Sequence, residues 1–484
     1  MDAADSCGRL SLLVRDGRIV DITSSAQSLT SLYPGAAIVD ASASLIFPGF
    51  VNAHHHGESV LLRYATDGFP SGEWERRRDV AAARARLLEP ASAHPVVALY
   101  RAGALLHLRG GTTSLGEHPA PYVPPVLGEA LDALSGAGIR VVAALQTWEQ
   151  VSALRTPGAQ RCSIAAGPAE SFTVYSLESL VRLSAETGFP IAAQVGEDRH
   201  EVEALRRRFK KSPLRVLKDA GALLQSTQLA HGNHIPARDI ELLRELGIPL
   251  ALALRSALAK QTGYPLLRHL KGRDVSLSIG TDWGDTDMLG EVRALRALPG
   301  YIPGTPAWTP LELLRMATGG GARALGIEGH CGSLEVGKFA DLVMVPLEPF
   351  PVPLPGPGAS AAELAAMIVD GGESVRITDV MTQGVFRVRH GEQAHPRGAE
   401  ILREFRRLYA QFFPAGRESA RGTQNARVPL VPPERPGAAD GAGPGERDSD
   451  MEKPPHHEPE AGAPAQKYPV PTRKIGKVFG EDDL

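Results

Sequence analysis

Cysteine is scarce in this chain of 484 residues: Cys7, Cys162 and Cys331 are odd in number and far apart. They build neither a disulfide framework nor a zinc knuckle, which points to a reducing compartment. Also lacking is any uncharged apolar run near the roughly 18 residues that a membrane span requires. The opening stretch MDAADSCGR is acidic and has no apolar centre, so it does not read as a signal peptide. Basic excess is missing too: 52 Lys and Arg stand against 55 Asp and Glu, a net charge of −3. A nucleic-acid partner would usually demand the opposite balance. These exclusions predict a cytoplasmic protein with neither a membrane nor a nucleic-acid partner. What remains is ordinary, 43 % apolar and 22 % charged, with length for one large domain, a smaller one and a tail.

The stretch that organises the rest is LIFPGFVNAHHHG, residues 45–57. Apolar residues that stop abruptly at a histidine cluster read as a buried strand delivering side chains to the mouth of a site. Alternate strand residues share a face, so His54 and His56 point together while His55 points elsewhere. Two imidazoles one strand step apart suit a tetrahedral or five-coordinate metal. A surface histidine run of the purification-tag kind is the plainer explanation, but such a tag does not sit inside an apolar strand in mid-chain.

Residues 10–47 read as short strands. LSLLV, the turn-forming Asp16-Gly17 and RIVDI make a hairpin, and AAIVDA and SLIFP follow. From about residue 74 to 330, apolar runs (TTSLGEH, IRVVAALQ, PIAAQVGE, STQLAHGN, IPLALALR, VSLSIGTDW) alternate with helical stretches. Repeated βα units of this size predict an α/β fold, a TIM-like (β/α)8 barrel over residues 48–331. Several runs end in polar or ionisable residues: Glu117 with His118, Gln146, Gln194 with Glu197, His231 and Asp282. Barrel enzymes carry their sites at the C-terminal ends of strands. One such residue could be a helix cap or a supporting hydrogen bonder; five or six in register are harder to dismiss.

Residues 332–392 return to strands around a Pro-rich connector. They are expected to pair with residues 1–47 as one small β-sandwich domain built from both chain ends. EILREFRRLYAQFF within residues 393–414 is an amphipathic docking helix. Residues 415–484 turn to Pro, Gly, Ala and mixed charge, the composition of a disordered tail. Its end, KYPVPTRKIGKVFGEDDL, reads as a plain solvated terminus, with docking to a protein partner as the other reading.

PGFVNAHHHG, LAHGNH, SIGTDW and TPLELLRMATGGGARALGIEGHCGSLEVGKFADLVMV together resemble the amidohydrolase superfamily, in its cytosine-deaminase, chlorohydrolase and adenosine-type deaminase branch. The resemblance covers roughly residues 10–392. It implies that one divalent ion, zinc first and iron second, is held by His54, His56 and Asp282, with Asp282 also acting as base toward the bound water. It implies that Glu197 shuttles a proton between that water and the substrate, and that His231 polarises the group under attack. The chemistry is consistent, because a divalent ion brings the pKa of bound water to about 7 and a nearby carboxylate can pass the proton to a leaving amine.

Two departures stand out. Where the family carries a histidine ligand on strand 5, this chain has Gln194, a neutral and weaker donor than imidazole. Three arrangements stay open: ligation through the Gln194 oxygen, a shift of the metal toward His231, or a metal-poor site. His200 is a substitute only if it leaves the following helix surface. The second departure is Leu254-Arg255-Ser256-Ala257 in place of Pro-x-Ser-Asn. There Arg255 is either a cation beside the pocket, suited to an acidic substrate, or an outward-facing side chain. Arg63, Tyr64 and Trp74 fall in the segment that resembles the family's substrate cap, and Gln146 joins them as a substrate-binding candidate. Phe172 and Tyr175 line the pocket or pack the core.

The function expected is hydrolysis of a C–N bond in a small molecule, most simply deamination of a heterocycle or amidine-like carbon. Ring-amide hydrolysis, or loss of chloride or alkylamine, would use the same site. A lapsed homologue that binds a ligand or partner is the alternative from another class. Homo-oligomers are common in such families, which is analogy alone.

Overall fold

The computed structural model of the chain describes residues 7–62, 77–89, 93–154, 161–283, 285–302, 304–348 and 358–414, and positions 73 and 91. Arg63, Tyr64, Trp74, most of the Pro-rich connector and the tail from residue 415 lie outside the described residues.

The hairpin forms as expected: β1 (Ser11–Arg15) pairs antiparallel with β2 (Arg18–Thr23) around Asp16-Gly17. Both turn residues have positive φ, 52° and 77°, as a two-residue hairpin turn requires. AAIVDA is not a strand. The helix Ala26–Leu32, capped by Ser25, precedes it, and Ile38 is 77 % exposed. It joins none of the sheets, so its apolar alternation has no partner strand to organise it. β3 (Ser44–Pro48) then enters a second sheet.

Eight strands follow in parallel order: β4 (Phe50–His55), β5 (Thr112–Glu117), β6 (Arg140–Leu145), β7 (Arg161–Ala165), β8 (Ile191–Val195), β9 (Gln228–His231), β10 (Leu250–Leu252) and β11 (Leu277–Ile279). IAAQV, LAL and LSI have no hydrophobic/polar alternation because helices cover the outer face and side chains fill the inside. Helix starts are encoded locally: Thr173 and Ser176 form a capping box, as do Thr309 and Glu312 with Pro310 in the first turn.

The barrel closes between its first and last strands. The His54 carbonyl accepts from the N–H groups of Thr281 (3.0 Å) and Asp282 (2.9 Å), and His55 bridges Asp282. Gly280 permits this approach, since a Cβ there would lie 2.8 Å from the His54 backbone. Asn52 completes the clasp: its amide donates to Thr281 Oγ1 at 2.7 Å, and its oxygen accepts from Thr281 N–H at 3.1 Å.

β12 (Leu342–Pro346), β13 (Asp379–Thr382), β14 (Val385–Arg389) and β15 (Glu392–Gln393) join β3 in an antiparallel sheet ordered β15-β14-β13-β12-β3. Strands from both chain ends therefore build one β layer. Ile19, Leu342, Met344 and Met381 are buried together between it and the hairpin. Within GSLEVGKFADLVMV only the LVMV end is a strand; the earlier residues are turns, joined to β2 by a bridge between Arg18 and Phe339. The helix Ala361–Asp370, with its own capping box of Ser360 and Glu363, is not foreseen by the strand pattern. The docking helix spans Gly398–Phe412 and packs on the helix Ala93–Arg109. Among the described residues no helix is long and apolar enough to cross a membrane.

Candidate functional site

Strand alternation sorts the three histidines. His54 and His56 face the barrel mouth, and His55 turns outward to the helix Ala93–Arg109, where its Nε2 is 3.2 Å from His107 Nε2. Glu117 secures this outward side. Its carboxylate contacts His55 Nδ1 at 2.8 Å and accepts from Tyr100 O–H at 2.9 Å and Gly57 N–H at 2.7 Å. Burial pushes the Glu117 pKa up to about 7 against those hydrogen bonds. Glu117 therefore supports the strand end and does not face the site.

Glu117→Leu should lower stability by roughly 3 kcal/mol, because it strands three buried partners at about 1 kcal/mol or more each; denaturant midpoints will measure this. The native protein binds more protons at Glu117 than the unfolded chain between about pH 4.5 and 7. Its stability should therefore fall as pH rises through that window, a slope that Glu117→Gln should lack.

At the barrel mouth the ring nitrogens converge on one carboxylate oxygen. Asp282 Oδ1 lies 3.4 Å from His54 Nε2, 3.3 Å from His56 Nε2 and 4.0 Å from His231 Nε2. Tetrahedral ligands about 2.1 Å from one ion lie about 3.4 Å apart, so this spacing fits a metal centre. The donor atoms of His54, His231 and Asp282 all lie within 4.8 Å of one another. Asp282 Oδ1 and both ring nitrogens of His54 are buried without a hydrogen-bond partner, the condition of atoms shaped for a cation. The residues present fit a divalent ion.

The surroundings hold these groups in ligating form. His56 Nδ1 lies 2.8 Å from the His118 carbonyl. A carbonyl only accepts, so Nδ1 carries the proton, which leaves Nε2 as the ring's ligating atom. Trp283 stacks on the His56 ring at 5.3 Å and 26°. Burial lowers the His54 pKa to about 3, even against the Asp282 carboxylate, and keeps its ring neutral. Burial alone would raise the Asp282 pKa, but Lys260 and the histidines hold it well below the usual carboxylate range. His231 and Asp282 both have positive φ, 76° and 52°. Such backbone is unfavourable for residues with a Cβ, typically by 1–2 kcal/mol, and it concentrates where function demands a fixed orientation.

Gln194 spans two of the imidazoles: its amide nitrogen is 3.3 Å from His56 Nε2 and its oxygen 3.2 Å from His231 Nε2. The amide thus sits beside the same nitrogens that face Asp282. Glu197 Oε2 lies 3.8 Å from His231 Nε2. The loop that carries it is fixed by Glu201, which accepts the N–H groups of Gly196 (2.7 Å) and Glu197 (2.8 Å). His200 is exposed on the helix Arg199–Phe209.

The other candidates fall elsewhere. Arg255 is held by acidic neighbours: its guanidinium pairs with Asp285 at 2.6 Å and Asp287 at 3.5 Å, and its backbone N–H donates to Glu291. Gln146 is exposed and donates to the Pro119 carbonyl at 3.0 Å. Phe172 is core, and Tyr175 is 82 % exposed. The buried cation that sequence reasoning missed is Lys260. Its ammonium donates to Asp282 Oδ2 at 2.7 Å and, still closer, to Glu197. Ser256 Oγ donates to the same Asp282 oxygen at 2.6 Å. The one signal for Lys260 was its spacing from Ser256, four residues along an otherwise apolar segment, which puts both on one helical face. His118 also enters the site, its ring 4.3 Å from that of His54.

Comparisons with known proteins agree with this geometry. The profile of the amidohydrolase family matches residues 45–387, more than half of the chain. A 5-methylthioadenosine/S-adenosylhomocysteine deaminase of Halobacterium salinarum is 30 % identical over 396 residues, 76 % of this chain and 89 % of that protein. A 5'-deoxyadenosine deaminase of Methanothermobacter thermautotrophicus is 28 % identical over 75 % of this chain and 88 % of its own. In fold, an adenosine deaminase of Xanthomonas campestris crystallised with bound zinc superposes with a TM-score of 0.72 at 23 % identity, covering 83 % of this chain and 93 % of its own. A mutant of the atrazine chlorohydrolase TrzN of Arthrobacter aurescens TC1, complexed with zinc and atraton, gives 0.73 at 18 % identity, covering 83 % and 95 %. The chain belongs to the amidohydrolase family and is a hydrolase of carbon–nitrogen bonds other than peptide bonds.

Proposed function

We propose that this chain removes the exocyclic amine of an adenine-type nucleoside, consuming water and releasing ammonia. The observation that carries the reading is the convergence of three imidazole Nε2 atoms on the unpartnered Asp282 Oδ1, with the Glu197 carboxylate alongside. The relatives named as deaminases of 5-methylthioadenosine, S-adenosylhomocysteine and 5'-deoxyadenosine support the substrate class.

His54, His56, His231 and Asp282 would hold the ion, zinc first and iron second, with Gln194 within reach of the same position. A bound dication supplies Lewis acidity, bringing the pKa of water to about 7. Ser256 and Lys260 fix the Asp282 carboxylate through Oδ2 and leave Oδ1 directed at the imidazoles. Glu197, placed between Lys260 and His231, is positioned to take a proton from water and return it to the departing amine. The buried thiols Cys162 and Cys331 suit the reducing cytoplasm in which we place the enzyme.

The test follows ammonia release from 5-methylthioadenosine, S-adenosylhomocysteine, 5'-deoxyadenosine and adenosine, with the zinc- or iron-loaded protein. Turnover of at least one supports the reading. No ammonia from any of them, with chloride released from a chlorotriazine, would overturn the deaminase assignment in favour of a halide-displacing one.

A further inference from the structure

We propose that Lys260 is a resident counter-cation that makes this site hold its divalent ion loosely, so that metal loading is reversible and follows the supply of free metal. The inference rests on the ligand reading above and concerns what this chain's own lysine does to it. Lys260 closes the apolar segment LALALRSALAK and is itself only 6 % exposed. Its two acceptors are Asp282 Oδ2 and Glu197, and Asp282 turns its other oxygen to the imidazoles. The ammonium therefore lies one carboxylate width from where a cation on Oδ1 would sit.

The charges show the consequence. Two carboxylates alone would balance a dication. With Lys260 between them, one negative charge is already satisfied, and the loaded site carries an excess positive charge in a water-poor pocket. Like charges that close repel strongly even at an effective dielectric of about 20, more than enough for a tenfold change in affinity. Arg255, the nearest candidate in sequence, is committed to Asp285 and Asp287. Gln194 acts in the same direction. It offers the position beside His56 and His231 a neutral amide, a weak donor for zinc.

The test uses the full chain, stripped of metal by a chelator and titrated with Zn2+ against a chromophoric competitor, then with Co2+ followed by its visible absorption. Lys260→Met and Lys260→Gln should bind Zn2+ at least tenfold more tightly than the parent, and Lys260→Arg should stay within about threefold of it. Lys260→Gln retains a donor for either carboxylate, and it decides the question if the methionine variant does not fold. Equal or weaker Zn2+ binding by the neutral variants would overturn the proposal while leaving the metal site standing. Failure of the parent and every variant to bind Zn2+ or Co2+ would overturn the metal site itself, and this inference with it.

Discussion

Asp282→Asn is expected to lower kcat/KM at least a thousandfold and to strip most of the bound metal. The asparagine matches the aspartate in shape, so the change isolates the charge. Asp282 Oδ1 is the point on which His54, His56 and His231 converge. A neutral amide there is a poorer ligand for a dication and a poor proton acceptor, and loss of such a group typically costs 10²–10⁴ in rate. The same change leaves the buried Lys260 ammonium with Glu197 as its one carboxylate partner. A drop in thermal midpoint should accompany the loss, because half-removed buried ion pairs are costly. Elemental analysis and ammonia release, with circular dichroism as the folding control, check the three parts. Full metal content with near-normal turnover would remove Asp282 from the chemistry.

Glu197→Gln should instead separate metal from rate. The Glu197 carboxylate lies 3.8 Å from His231 Nε2 and is tied to Lys260. Burial alone would raise its pKa, but Lys260 outweighs this and holds the group below the usual range, as a carboxylate. Saturated with zinc, the variant should still hold about one equivalent, though the lost carboxylate charge weakens the affinity, while kcat for amine release falls by roughly 10²–10⁴ with KM little changed. A substrate analogue whose leaving group needs no proton, such as a 6-chloropurine nucleoside, should lose less. An equal loss with both leaving groups would mean that Glu197 does not deliver the proton to the amine. Loss of zinc even at saturating metal would make Glu197 a ligand.

The barrel and the first half of the site were legible because both are written in local patterns. The turn at Asp16-Gly17, the apolar run into His54-His55-His56 and the strand ends at His231 and Asp282 are readable within a few residues. AAIVDA shows the limit: its alternation is strand-like, yet Ile38 is exposed and the segment pairs with no strand among the described residues. Arg255 and Lys260 show a second limit. Of the two, five residues apart in one segment, Arg255 stood out as a possible pocket cation and Lys260 did not, and composition could not say which turns inward.

By itself the sequence determined which residues end the barrel strands and so can share its mouth, because a period of two fixes which side chains face together. It also determined that this mouth is rich in imidazole and carboxylate. Only the tertiary structure decided how those groups divide the work. Closure of β4 against the end of β11 brings Asp282 to within 3.4 Å of His54, although 228 residues separate them in the chain. The same closure lets one lysine join Asp282 to Glu197. Such contacts depend on the angle at which each strand and helix end arrives, which is set by packing across the whole barrel and leaves no mark in the local sequence.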